Sequence, residues 1–96
     1  MKADLFKIYL TKDPAITSRG AVEKRMSEAA KAEEILGKSL DAVVRDDDLM
    51  YESLIELQKH ENPAHNPMQN AVRKYYKFVN EKEFPQKRHY HSAKHP

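Results

Sequence analysis

The stretch from Asn66 to Pro85 constrains the fold of this 96-residue chain more than any other. Asn66 is suited to capping a helix, and Pro67 suits the first helical position because the N–H that proline lacks has no partner there. Pro85 ends the helix. Apolar side chains recur at intervals of three and four residues, which places them on one helical face. They are Met68, Val72, Tyr75 and Val79, with Ala71 and Phe78 beside them.

The opposite face of this predicted helix is polar. At about 100° per residue, it presents Asn70, Arg73, Lys74 and Lys77. One interpretation is the ordinary solvated face of an amphipathic helix, and the other is a strip of side chains that contacts phosphates. The spacing of the residues leaves both interpretations open.

Three further helices are predicted from the same kind of spacing, and no segment shows the alternation of a strand. We expect helices over residues 3–12, over residues 19–36, and from the acidic residues 46–48 to the loop at 60–66. Residues 38–44 are expected to connect two helices through a single turn. The predicted core face of the first helix is Leu5, Ile8 and Tyr9, flanked by Phe6 and Leu10. That of the second helix is Val22, Met26, Ala29 and Leu36, and that of the third is Met50, Leu54 and Leu57. Tyr75 and Val79 should enter the core beside Met26, Leu36 and Leu54.

Helix-end signals support these boundaries. Thr17 or Ser18 is placed to cap the second helix, and Gly37 is suited to the left-handed position that ends it. Asp46, Asp47 and Asp48 crowd the start of the third helix, where the macrodipole favours negative charge. They are expected to cap rather than to bind Ca²⁺, because no glycine follows to turn a ligand loop.

Composition excludes several classes of function. The chain has no cysteine, so disulfides and thiolate–zinc sites are excluded. No apolar run approaches the roughly 20 residues of a membrane span, and charges interrupt the N-terminal segment, so a cytoplasmic protein without a signal peptide is expected. The sequence contains no phosphate loop, metalloprotease or hydrolase motif, and we expect neither an enzyme nor a cofactor.

Charge is distributed unevenly along the chain. The formal net charge is +2, but residues 1–30, 31–66 and 67–96 carry +2, −5 and +5. A chain of this kind can present a surface of one sign although it is nearly neutral as a whole.

The segment after Pro85 has no apolar period, so residues 1–85 are expected to form one domain and residues 86–96 a flexible basic tail or linker. The tail holds His89, His91 and His95, but no acidic or thiolate partners accompany them, and no metal site is expected. Tyr51 and Ile55 form a small apolar patch on the third helix. It is expected either to lie under the chain termini, the preferred alternative, or to contact a partner.

Three segments resemble one known domain. They are LFKIYLTKDPAITSRGAVEKRM, AEEILGKSLDAVV and MQNAVRKYYKFV, and together they are similar to the SAM-like helical core-binding domain. That domain precedes the catalytic domain of tyrosine recombinases (phage integrases) and of some restriction-type nucleases. The resemblance covers residues 3–84 and is clearest at 18–22 and 71–78, although Ala21 stands where threonine is usual.

The resemblance implies a compact orthogonal four-helix bundle that docks on duplex DNA through its second and fourth helices. No catalytic domain follows, so no catalytic role is implied. The implied DNA contacts are Arg19, Lys24, Arg25 and Lys31 on the second helix, Asn70, Arg73, Lys74 and Lys77 on the fourth, and Lys87 and Arg88 beyond it.

Two further functions stay open at this stage. The chain could be a small interaction protein of a phage or mobile element that binds a protein partner through the Tyr51/Ile55 patch or the acidic residues 46–56. It could also be the recognition part of a larger recombinase or restriction nuclease.

Overall fold

The fold is all-α. A computed structural model describes residues 1–94, with the backbone alone for residues 92–94, and shows no strand in that part of the chain. Its helices are α1 (Ala3–Thr11), α2 (Arg19–Leu36), α3 (Leu40–Arg45), α4 (Asp47–Gln58), α5 (Pro67–Asn80) and α6 (Lys87–Lys94). The predicted helical class is confirmed, while the number of helices exceeds the predicted four because two short segments are also helical.

Helix α5 lies at the centre of the fold and contacts α1, α2, α3 and α4. Its predicted apolar stripe is buried at Met68, Val72 and Tyr75. Val79 is an exception, with 40% of its surface exposed. The neighbouring Phe78 packs against α1 instead, with its ring 5.6 Å from that of Phe6, and this leaves Val79 at the edge of the core.

Helix α1 buries only part of the predicted face: the flanking residues are buried and Tyr9 is partly buried, whereas the other two central residues are exposed. Phe6 and Leu10 are fully buried, whereas Leu5 and Ile8 are 57% and 51% exposed. A nine-residue helix with apolar side chains at positions 5, 6, 8, 9 and 10 has two candidate faces, and only one can contact α5. The ring of Phe6 lies edge-on to Tyr75 at 4.9 Å, so the face with the larger aromatic contact is the buried one.

The connector after α2 is a six-residue helix rather than a single turn. α3 buries Leu40, Val43 and Val44 completely or nearly so. A carboxylate oxygen of Glu33 accepts a hydrogen bond from the Leu40 N–H at 2.8 Å and lies 3.1 Å from the terminal ammonium of Met1. Glu33 interrupts the apolar stripe of α2 because it serves these two donors.

Most predicted helix caps are present. Ser18 accepts from the Ala21 N–H at 3.1 Å, Gly37 has a φ of 65°, and Asp46 accepts from the first N–H groups of α4. Asn66 occupies the cap position of α5, but its side chain makes no capping bond. The carboxylate of Glu61 takes that role and accepts from the backbone N–H groups of residues 68 and 69 at 2.6 and 3.1 Å. A charged acceptor binds two donors at the positive end of a helix more strongly than an amide does.

The segment after Pro85 contains a helix, which corrects the expectation of a tail without structure. α6 places the ring of Tyr90 against that of Tyr51 at 5.2 Å, and the Tyr90 hydroxyl donates to Asp48. Aromatic stacking supplies contacts that the apolar periodicity of this segment did not reveal. Tyr51 therefore lies under the C-terminal segment, in agreement with the alternative preferred for the Tyr51/Ile55 patch. His95 lies outside the described residues.

Tyr75 joins the core to a polar network at one end of α5. Its hydroxyl donates to Asp41 and accepts from the backbone N–H of Lys2 at 2.9 Å. Burial, together with the bond to Asp41, raises the pKa of Tyr75 to about 12. The buried hydroxyl is therefore neutral and fully hydrogen-bonded at neutral pH.

We predict that Tyr75→Ala lowers the free energy of unfolding by about 3–5 kcal/mol, because it empties a fully buried site and leaves Asp41 without its donor. Val79→Ala, on the same helix but half-exposed, should cost less than about 1 kcal/mol. Urea unfolding of both variants measures the difference. Equal losses would contradict the central position of the Tyr75 ring.

Candidate nucleic-acid interface

The outer face of α5 and one flank of α2 enclose a surface depression of about 480 Å³. On α5, four groove residues follow one another at intervals of three, one and three positions, so they lie along one face of the helix. α2 contributes a residue of the flank that packs beside them. The lining residues are Arg25, Asn70, Arg73, Lys74, Lys77, Glu83, Phe84 and Gln86.

Two smaller depressions adjoin the first. One, of about 210 Å³, shares Arg25 and Asn70 with it and adds Lys24, Glu28 and His65, among others. The other, of about 310 Å³, shares Lys77 and lies at the end of α1; its remaining lining residues are Tyr9, Lys12, Asp13 and Pro14. We call these three adjoining depressions the basic groove. Cationic side chains from α2, from α5 and from the end of α1 line these adjoining depressions.

Arg73 is half-buried and already has partners in the protein. Its Nη1 donates to the carbonyl oxygens of Phe84 and Pro85 at 2.9 and 3.1 Å, and the guanidinium lies 5.7 Å from the centre of the Phe84 ring. Burial lowers the pKa of Arg73 from its usual value, although arginine keeps its charge in proteins. Arg73, a predicted DNA contact, lines the groove and also holds the chain that returns after α5, because that chain passes within reach of its guanidinium.

Lys74 is also engaged. Its Nζ lies 2.6 Å from Oδ2 of Asp13, and the other carboxylate oxygen accepts from the Ala15 N–H at 2.9 Å. The bond from Lys74 is the main reason why the pKa of Asp13 is lowered from its usual value. This pair fastens the loop between α1 and α2 to α5 and neutralises one cation of the groove.

The remaining groove cations are more available. Lys77 is 43% exposed, and its Nζ lies 3.6 Å from the carboxylate of Glu83, which is 81% exposed. Among the described residues, Lys24 and Arg25 form no ion pair. Lys24 is exposed and Arg25 is partly buried, and both face the groove from α2.

Four of the predicted DNA contacts lie outside the basic groove. Arg19 lies on the other flank of α2, in a separate depression with Lys7 and Glu23. Lys31 does not line the groove, and its ammonium is 3.4 Å from Glu28. The ammonium of Lys87 donates to Gln69 at 2.7 Å and to Gln58 at 2.5 Å, while Arg88 is exposed on α6. A helical wheel gives the side on which a residue leaves its helix, but not which neighbouring element covers it.

Sequence reasoning did not find Lys12, His65 and Glu83 as groove residues. Lys12 directly precedes the Asp13–Pro14 turn, and this turn carries it beside α5. No local pattern marks these residues, because each joins the groove through a loop that returns to the outer face of α5.

Acidic residues are few in the groove. Its carboxylates are Asp13, Glu28 and Glu83, and none comes from α4. Residues 1–94 contain no cluster of three acidic or histidine side chains able to hold a metal ion. No helix in that part of the chain is long and apolar enough to cross a membrane. Because six of the charged side chains that line the groove are cationic and three are carboxylates, the groove is suited to binding an anion through side-chain charge.

Comparison with known proteins adds no relative. No protein-family model matches the chain, and no curated protein or solved structure matches it significantly. The resemblance to the SAM-like core-binding domain therefore stays a prediction from the sequence.

We predict that Asp13→Asn lowers the free energy of unfolding by about 1 kcal/mol near pH 6, since it removes a charged hydrogen bond. The folded-state pKa of Asp13 lies below its unfolded value of 3.8. Its contribution is therefore complete above that value and is lost as the pH falls through the folded-state pKa.

The deficit of Asp13→Asn should accordingly shrink as the pH falls below 3.8, which urea unfolding at several pH values would show. Glu52→Gln, a matched change on the exposed surface in the middle of α4, should have little effect at any pH. A deficit independent of pH would contradict the ion pair with Lys74.

Proposed function

We propose that this protein is a cytoplasmic, non-catalytic module that binds duplex DNA through the basic groove. One observation carries the proposal. Cationic side chains from α2, from α5 and from the residue after α1 line three adjoining surface depressions, and no carboxylate of the acidic helix α4 lines any of them.

The dimensions of the groove support a ligand with repeated charges. From Pro67 to Lys77 the outer face of α5 extends over about 15 Å at 1.5 Å per residue. Each strand of duplex DNA carries one negative charge per about 3.4 Å of the helix axis. A backbone that follows α5 would therefore pass several phosphates across the groove.

Phosphate contacts position a protein on DNA without reading its sequence. Lys12, Lys24, Arg25 and Lys77 are the cations best placed for this role, since Arg73 and Lys74 already have intramolecular partners. Asn70 is exposed at the centre of the groove, and an asparagine amide can pair with the edge of an adenine. The proposed binding is thus mainly electrostatic, with Asn70 as the one candidate for a base contact.

The sequence resemblance supports the same surface. Its implied DNA-contacting helices correspond to α2 and α5, and the groove lies between these two helices. On this basis we extend the proposal to a role as the recognition part of a recombinase or restriction-type nuclease encoded by a mobile element.

Binding of a protein partner is the second candidate function, for which α1 offers a surface other than the one expected from the sequence. The Tyr51 patch is stacked under Tyr90, so it is not the open surface that an interaction protein would need. The favouring observation is on α1, where Leu5 and Ile8 are exposed one helical turn apart. A partner that covers them would present an apolar surface.

We predict weak, salt-dependent binding to a duplex of arbitrary sequence, with Kd on the order of 10⁻⁴–10⁻⁶ M near physiological salt. About four neutralised phosphates give a slope of log K against log salt near −3 to −4. Lys24→Gln with Lys77→Gln should reduce the magnitude of that slope by about 2 without loss of stability, since both side chains are open to solvent. Fluorescence anisotropy at several salt concentrations measures it.

The matched control is Arg19→Gln with Lys38→Gln, which removes the same charge from exposed positions outside the groove. Its slope should stay near that of the unchanged protein. Equal slopes for the two double variants would contradict the groove as the binding surface. Absence of any saturable binding to duplex would contradict the function itself.

A further inference from the structure

One wall of the basic groove is formed by the chain that follows α5. We call residues 81–86 the strap. α5 ends at Asn80, and the next residue, Glu81, turns the chain back with a φ of 60°. The strap then lines the groove with Glu83, Phe84 and Gln86. The wall opposite α2 is therefore a loop rather than a helix.

The strap is fixed from two sides. The Phe84 ring is buried and lies 5.2 Å from Tyr76 and 5.1 Å from Tyr90. On the groove side, the guanidinium of Arg73 binds the carbonyl oxygens of Phe84 and Pro85. Arg73 is thus a positioning residue that sets where the strap passes along the groove.

This placement decides where Glu83 lies. Glu83 directly precedes the anchored Phe84, and its carboxylate is held at the edge of the groove within 3.6 Å of the Lys77 ammonium. It is the only carboxylate of residues 81–86 among the side chains that line the groove. In the free protein, the carboxylate of Glu83 therefore lies beside the Lys77 ammonium, which is the cation that a phosphate would contact.

We propose that Glu83 is an intramolecular competitor for Lys77, displaced when a polyanion of linked phosphate groups enters the basic groove. The inference rests on the proposed function, since it concerns the same site. When a single phosphate ion displaces Glu83, Lys77 gains one ionic contact and loses another, so the number of ionic contacts does not increase. A backbone with several phosphates also engages Lys24 and Arg25, so the strap favours polyanions over single phosphate groups.

The test is Glu83→Gln, which keeps the size of the side chain and removes its charge. Exposed ion pairs contribute little, so we expect the Kd for duplex DNA to fall about two- to fivefold. The slope of log K against log salt should change little, because Lys77 neutralises the same phosphate with or without Glu83.

Glu81→Gln is the matched control, since it removes the same charge from the same strap outside the groove. Its effect on Kd should stay below about 1.5-fold. Arg73→Gln supplies a second comparison: once the strap is released, the additional change Glu83→Gln should no longer improve binding. Circular dichroism confirms that each variant is folded.

Inorganic polyphosphate, used as a second probe, separates failure of this inference from failure of the proposed function. If Glu83→Gln tightens binding of polyphosphate while no variant binds duplex DNA, the result supports the role of Glu83 as a competitor and contradicts the DNA-binding proposal. If Glu83→Gln and Glu81→Gln have equal effects, or neither alters binding of either probe, the competitor is overturned.

Discussion

The structure depends on the burial of one face of α5. Four helices contact this face, and its two buried tyrosines bring their hydroxyl groups to Asp41 and Asp47 at the edges of the core. Full burial of a large apolar side chain contributes about 1.5–3 kcal/mol, so these rings supply much of the stability of so small a domain. Because no described buried side-chain nitrogen or oxygen lacks a hydrogen bond, this gain is not offset by unsatisfied polar groups. The same packing leaves the opposite face of α5 at the surface and thereby creates the basic groove.

Features determined by local interactions were predictable from the sequence. The stripe from Met68 to Tyr75, the left-handed Gly37 and the Asp46 cap each depend on residues within one or two helical turns, and all three are present. The buried face of α1 was not predictable, because its apolar side chains fit two faces and the choice depends on the distant Tyr75 ring. α6 is likewise held by aromatic contacts with another helix rather than by its own periodicity.

The candidate site shows the same division between local and long-range information. The sequence places Asn70, Arg73, Lys74 and Lys77 on the outer face of α5, and all four line the groove. It cannot show that two of these cations are already bonded, because their partners lie on loops that return to α5 from either end. The strap turns Arg73 into a structural residue, and the Asp13–Pro14 turn neutralises Lys74. The groove therefore has fewer unpaired cations than its number of lysine and arginine side chains would indicate.

The most direct test of the account is the position of bound DNA on the protein surface. Titration of ¹⁵N-labelled protein with a short duplex, followed by backbone and side-chain NMR shifts, locates it residue by residue. We predict saturable shifts confined to the groove flank of α2 near Arg25, the outer face of α5 near Asn70 and Lys77, and the end of α1 at Lys12. Shifts concentrated instead around Leu5 and Ile8, or on the acidic helix α4, would contradict the basic groove as the functional site.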